Sequence, residues 1–131
     1  MATVAVVNSN ADTVDALRTF LELEGFETVS AHIDEIKRGV TDFVEFLKSH
    51  DPDAIVYDIG PPYDHNWTFL HLIRDSREMQ GRAVVITTTH KANLERLVGP
   101  TEAIEILGKP YDLQQVVDAV KRALDRGQSA A

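Results

Sequence analysis

The chain has no cysteine. That excludes disulfides, thiolate metal sites and cysteine nucleophiles. It is short of positive charge, with 13 lysines and arginines against 21 acidic residues and a net charge of −8. Phosphate backbones are held by basic patches, so the balance argues against direct nucleic-acid binding and is read as a solubility feature. No apolar run approaches the ~20 residues a membrane helix needs, and the opening stretch from Met1 to Val7 is too short for a signal peptide. A soluble, cytoplasmic protein with no membrane association is the expectation. Against these absences stand 131 residues of which 44% are hydrophobic, enough for one domain with a real core and too apolar for a disordered segment.

Short apolar runs alternate with amphipathic segments. The runs are Thr3 to Val7, Glu27 to Ala31, Ala54 to Asp58, Ala83 to Thr88 and Ala103 to Leu107. Between them, Val14, Leu17 and Leu21 share a helical face, and Gly25 stands where a helix C-terminal cap belongs. Ile36, Val40, Phe43, Val44 and Leu47 form a second stripe, weakened by Gly39. Phe69, Leu70 and Ile73 form a third, and Leu94, Leu97 and Val98 a short fourth. Leu113, Val116, Val117, Val120 and Leu124 form the clearest, opened by Asp112 and Gln115 at capping-box spacing. There is no linker or repeat, so one domain is expected over residues 1–125, with a flexible tail over 126–131.

Five strands, each followed by a helix, predict an α/β fold with a parallel sheet and helices on both faces. Runs one, three and four are almost wholly apolar, as strands buried on both faces are. Runs two and five alternate, as in Glu27-Thr28-Val29-Ser30 and Glu102 to Ile106, which marks edges. Centre and edges together give a flavodoxin-like three-layer sandwich with strand order 2-1-3-4-5.

In such sheets function gathers at the carboxyl ends of the strands. Strand one ends in Asn8 and Ser9, strand three in Asp58, strand four in Thr87 and Thr88, and strand five in Lys109, followed by Pro110. One carboxylate, one ammonium and several hydroxyls therefore converge from distant parts of the chain.

This constellation resembles the response regulator receiver family over nearly the whole chain. The resemblance is carried by Asp58, by Pro62 four residues later, by Thr87, and by the Lys109-Pro110-Tyr111 run. It implies that Asp58 is a phosphoacceptor, that Thr87 and Lys109 are the catalytic pair contacting the phosphoryl oxygens, and that Lys109–Pro110 is cis. It also implies partners: a histidine kinase, a phosphotransfer protein or a downstream signalling protein, docking on the face built from the fourth helix, fifth strand and fifth helix.

Two departures from the family pattern matter. The acidic pair that holds Mg²⁺ is replaced by Asn8 and Ser9, which with Gly60 leave a degenerate metal site. Mg²⁺ is a hard cation that calls for carboxylate oxygen, and phosphoryl transfer depends on neutralising charge on the transferred oxygens. No cofactor is therefore expected, with Mg²⁺ entering only if Asp12 or Asp64 restores a carboxylate. With the acidic pair gone, Lys109 is expected to contact Asp58 directly. The second departure is Ile106 at the position of the family's switch aromatic, which makes the switch pair Thr87 and Ile106. Isoleucine is β-branched and has no polar tip to favour exposure, so it is expected to pack inward permanently.

Three functions stay open at this point. The first is an atypical, stand-alone receiver acting as a protein–protein interaction module, not an enzyme beyond self-catalysed transfer to Asp58. The second is an ordinary phosphorylated receiver, and the third a small-ligand or nucleotide-binding module of flavodoxin type. For that last reading the Asn8–Thr13 segment lacks a glycine for close backbone approach and reads more readily as a helix cap. The five histidines show no ligand spacing, except that His65 and His71 could share a helix end, and read as surface residues; Trp67 reads as a packing residue.

Overall fold

The computed structural model describes residues 2–39, 42–100 and 104–129. Its elements are β1 (Thr3–Asn8), α1 (Ala11–Leu23), β2 (Glu27–His32), α2 (Ile33–Lys37), α3 (Phe43–His50), β3 (Ala54–Ile59), α4 (Tyr63–Arg74), β4 (Ala83–Thr88), α5 (Lys91–Val98), β5 (Ile104–Gly108) and α6 (Leu113–Ser129). The five strands form one parallel sheet in the order β2-β1-β3-β4-β5, as the run chemistry predicts. The strand period of two splits the apolar residues between two cores. Ala5, Val7, Ile55, Tyr57, Ile59, Val84 and Ile86 pack with Phe43, Leu47, Trp67, Leu70 and Leu94 from the helices on one face. Val4, Val6, Val56 and Val85 pack on the other against Leu17 and Leu21 of α1 and Val116, Val117 and Val120 of α6. Continuous apolar runs in β1, β3 and β4 exist because both faces are covered.

The second amphipathic stripe is two helices rather than one. Gly39 takes φ +75°, which ends α2, and Asp42 starts α3 by accepting a hydrogen bond from the Glu45 amide at 3.1 Å. Ile36 and Phe43 both remain buried because the break redirects the chain without lifting either from the core; Val40 lies outside the described residues. The fourth and fifth helices of the sequence reading are therefore α5 and α6. On α5 only Leu94 is deeply buried, and Leu97 is 39% exposed.

Two predicted caps are in place. Gly25 has φ +96° just beyond α1. Asp112 and Gln115 exchange side chain-to-amide hydrogen bonds of 2.8 and 2.9 Å at the start of α6.

Helix α6 continues past the expected boundary at 125 as far as Ser129, while residues 130 and 131 lie outside the described residues. Arg126, expected in the tail, instead pairs with Glu105 of β5 at 2.7 Å, and Arg122 reaches the same carboxylate at 3.0 Å. Partial burial alone would raise the Glu105 pKa; the hydrogen bonds and charges of Arg126 and Arg122 outweigh it and hold the group below its ordinary 4.5. A carboxylate with a depressed folded-state pKa contributes stability above its unfolded value and loses it as pH falls through the folded one. Glu105→Gln should therefore lower stability by about 0.5–1 kcal/mol near neutrality, and the gap should close below the ordinary carboxylate range. Urea melts of both forms at pH 7 and pH 3 check it; a gap that persists at pH 3 would point to packing rather than charge.

Candidate functional site

Register brings the predicted residues together. Asp58 of β3 stands opposite Thr87 of β4, and β1 leaves the sheet beside them, its pairing with β3 running through Val7↔Tyr57 one step before Asn8 and Asp58. The Thr87 hydroxyl donates to Asp58 Oδ1 at 2.7 Å. Lys109 Nζ meets the same oxygen at 2.7 Å, the direct contact expected once the acidic pair is missing. The Lys109 segment is tied to β4 by its own amide, which donates to the Thr88 carbonyl at 2.7 Å, and the Lys109–Pro110 bond is cis. The cluster is largely closed to solvent: the Asp58 side chain is 11% exposed, and Thr87 is fully buried.

Two oxygens of the degenerate metal site are engaged by neighbouring donors. Asn8 is buried, and its Oδ1 accepts from the Asn10 amide at 3.0 Å. Asn10 in turn caps α1, accepting from the Thr13 amide at 3.0 Å, so the Asn8–Thr13 segment is the helix cap that one reading expected. Ser9 is exposed. The Gly60 carbonyl accepts from Asn66 Nδ2 at 2.7 Å. Asp12 is exposed in the first turn of α1, and Asp64 Oδ1 accepts from the neighbouring His65 amide at 2.8 Å. Among the described residues no group of three or more His, Asp or Glu side chains comes together in a way that could hold an ion.

Sequence reasoning missed some of the residues around the site. Asn66 holds the β3–α4 loop from inside, and nothing in its sequence setting distinguishes it from any polar helix residue. Tyr111, noted only as part of the lysine run, is half-buried against the second core, and burial followed by the Asp58 charge raises its phenol while the Thr87 hydroxyl acts in the opposite sense. Tyr57, next to Asp58 but facing the first core, is also raised, by burial and then by the same charge. Tyr63 reaches Thr89, its oxygen 2.6 Å from the Thr89 hydroxyl. His32 and His90, expected as plain surface residues, cap α2 and α5 by accepting backbone amides at Nδ1. Trp67 packs in the first core as expected.

Ile106 packs inward against the first core, as expected, but not to full burial. With Lys91, Glu95, Pro100 and Ile104 it lines a surface cavity of about 340 Å³ between α5 and β5. The reason is its position: β5 is an edge strand, and α5, with one deeply buried residue, covers it incompletely.

The architecture is that of receiver domains. A sensor protein from Polaromonas sp. JS666 superposes with a TM-score of 0.75 at 19% identity, covering 96% of this chain and 98% of that one. A response regulator receiver domain from Clostridium thermocellum gives 0.72 at 21% identity over the whole of both chains. The chemotaxis protein CheY4 of Vibrio cholerae gives 0.70 at 20% identity, covering 94% and 98%. In sequence, the chain is 24% identical over 127 residues to a probable transcriptional regulator, ycf29, of Cyanophora paradoxa. That match takes in 96% of this chain but only 58% of the relative's length. No family model matches. Among the described residues no helix is long and apolar enough to cross a membrane.

Proposed function

We propose that the chain is an atypical receiver module of two-component signalling, working by protein–protein contact, with Mg²⁺-dependent phosphorylation of Asp58 impaired. The observation that carries this reading is the state of the site's oxygens. Asp58 Oδ1 is shared by Lys109 and Thr87, Asn8 Oδ1 serves the Asn10 amide, and the Gly60 carbonyl serves Asn66. The residues present do not fit Mg²⁺: an amide and a hydroxyl bring no charge, and the one central carboxylate is neutralised by an ammonium at contact distance.

The proposed partners are a histidine kinase, a phosphotransfer protein or a downstream signalling protein. The proposed contact surface is the α5–β5–α6 face, where the cavity beside Ile106 offers a mostly polar recess lined by Lys91, Glu95 and Glu105. The relative named as a probable transcriptional regulator supports a place upstream of gene control, with an output segment supplied by some other chain or region. The intact trio of Asp58, Thr87 and Lys109 favours a second reading, an ordinary receiver phosphorylated on Asp58.

Partner affinity separates the two. A candidate kinase or regulator captured by this chain should bind Asp58→Ala and wild type within about twofold, because no phosphoryl-driven shift in population is involved. A tenfold or larger difference, measured by calorimetry with and without a phosphodonor, would favour the phosphorylated receiver.

A further inference from the structure

The two cores meet at a free edge of the sheet. β2 has a neighbouring strand on one side alone, and its last rung with β1 is Asn8↔His32. Both residues of that rung line a cleft of about 460 Å³ bounded by α1, α2 and α3, a size within the range of small-molecule sites. Small side chains leave the space: Ala11, Ser30 and Ala31 stand where larger ones would fill it. Its aromatic wall is Phe46, stacked on the buried Phe43 ring with centroids 6.0 Å apart and flanked by the His50 ring at 4.7 Å.

Two polar groups in this cleft lack partners. Asn8 is 3% exposed, and its Oδ1 is taken by the Asn10 amide, but its Nδ2 donates to nothing among the described residues. A buried amide donor left in this way costs free energy until water or a ligand enters to accept from it. Asp15 is exposed at the rim, with no hydrogen-bond or ion-pair partner among the described residues. Glu35 also lines the cleft but is already engaged, so the free charge is that of Asp15. No lysine or arginine lines the cleft, and Arg18, a turn along α1 from Asp15, is spent on Thr28 and Ser30 of β2. An unpaired carboxylate beside a preset aromatic ring favours positive charge.

We propose that this cleft binds a small organic cation: an ammonium drawn to Asp15, an apolar body against Phe46, and an acceptor oxygen on Asn8 Nδ2. The site goes beyond the signalling reading and does not depend on the chemistry of Asp58.

The probe is 4-(aminomethyl)benzamide, which carries an ammonium at one end of a ring and a carbonyl at the other. Two relatives each lack one feature: 4-methylbenzamide the charge, and 4-methylbenzylamine the carbonyl. Titration into the full chain, read by calorimetry and backbone amide shifts, should give saturable binding with shifts centred on Ala11, Ala31 and Phe46. Each relative should bind about fivefold more weakly, the value of one modest polar interaction. Asp15→Asn should bring the probe and 4-methylbenzamide within about twofold of each other. Ala11→Leu, at an exposed position, should abolish binding by filling the cleft with every charge left in place, a thermal melt checking that it folds. No saturable shifts up to about 10 mM probe, equal affinities for the probe and its relatives, or unchanged binding in Ala11→Leu would overturn the site. Nα-acetyl-lysine amide carries the same ammonium on a bare alkyl stem, as the lysine of a partner protein would. Tighter binding of that compound than of the probe would assign the cleft to a protein partner and overturn the small ligand.

Discussion

The double substitution Asn8→Asp, Ser9→Asp should raise Mg²⁺-dependent phosphorylation of Asp58 by at least about a hundredfold, since a bound metal supplies several kcal/mol of transition-state stabilisation. The argument is one of charge. In this chain Asp58 and Lys109 cancel, their nearest atoms 2.7 Å apart, and neither Asn8 nor Ser9 adds to them. Two new carboxylates beside Asp58 create the excess of negative charge that a hard dication answers. The Gly60 carbonyl, although it accepts from Asn66, has a second lone pair to offer. Without metal the same carboxylates repel Asp58, so the variant should be less stable than wild type in chelator and should recover as Mg²⁺ is added. Intact mass after incubation with a small phosphodonor, with and without Mg²⁺, measures the first effect, and thermal melts the second. An Asp58→Asn control in the same background should stay unmodified. Wild-type protein modified as fast as the double variant would establish the ordinary receiver reading instead.

The second large effect is on stability. Lys109→Met should cost about 1–3 kcal/mol, because it leaves a nearly buried carboxylate with the Thr87 hydroxyl as its one remaining side-chain donor among the described contacts. The lysine itself is 30% exposed, which keeps the cost below that of breaking a fully buried pair. Asp58→Asn added to Lys109→Met should recover most of the loss, since the uncompensated charge is what destabilises. The coupling from this double-mutant cycle should reach about 1 kcal/mol or more. Urea denaturation of the four forms measures it. A loss under about 0.5 kcal/mol with no coupling would mean that solvent already screens the pair, as at an exposed salt bridge.

Strand order was legible because burial on two faces and on one face leave different local patterns: Val4 to Val7 reads continuous and Glu27 to Ser30 reads alternating, with no knowledge of what covers them. The caps at Gly25 and Asp112–Gln115 were legible for the same reason, since each is a bargain between residues within one turn. The site residues Asp58, Thr87 and Lys109 followed once the strands were placed, because strand ends in such a sheet have one destination. The division of the second helix at Gly39 was not decided locally, since a glycine inside an amphipathic stripe is tolerated or exploited according to what the flanking segments pack against. Nor was the end of α6, where two arginines find Glu105 on a strand that sequence places far away. What engages Asn8 and Gly60, how far an edge strand leaves Ile106 uncovered, and the reach of Tyr63 to Thr89 all depend on distances between loops that no short window of sequence contains. Local chemistry determined the elements and named the central trio; only the tertiary structure, by setting the distances between strand ends and loops, decided which donors Asp58, Asn8 and Gly60 meet.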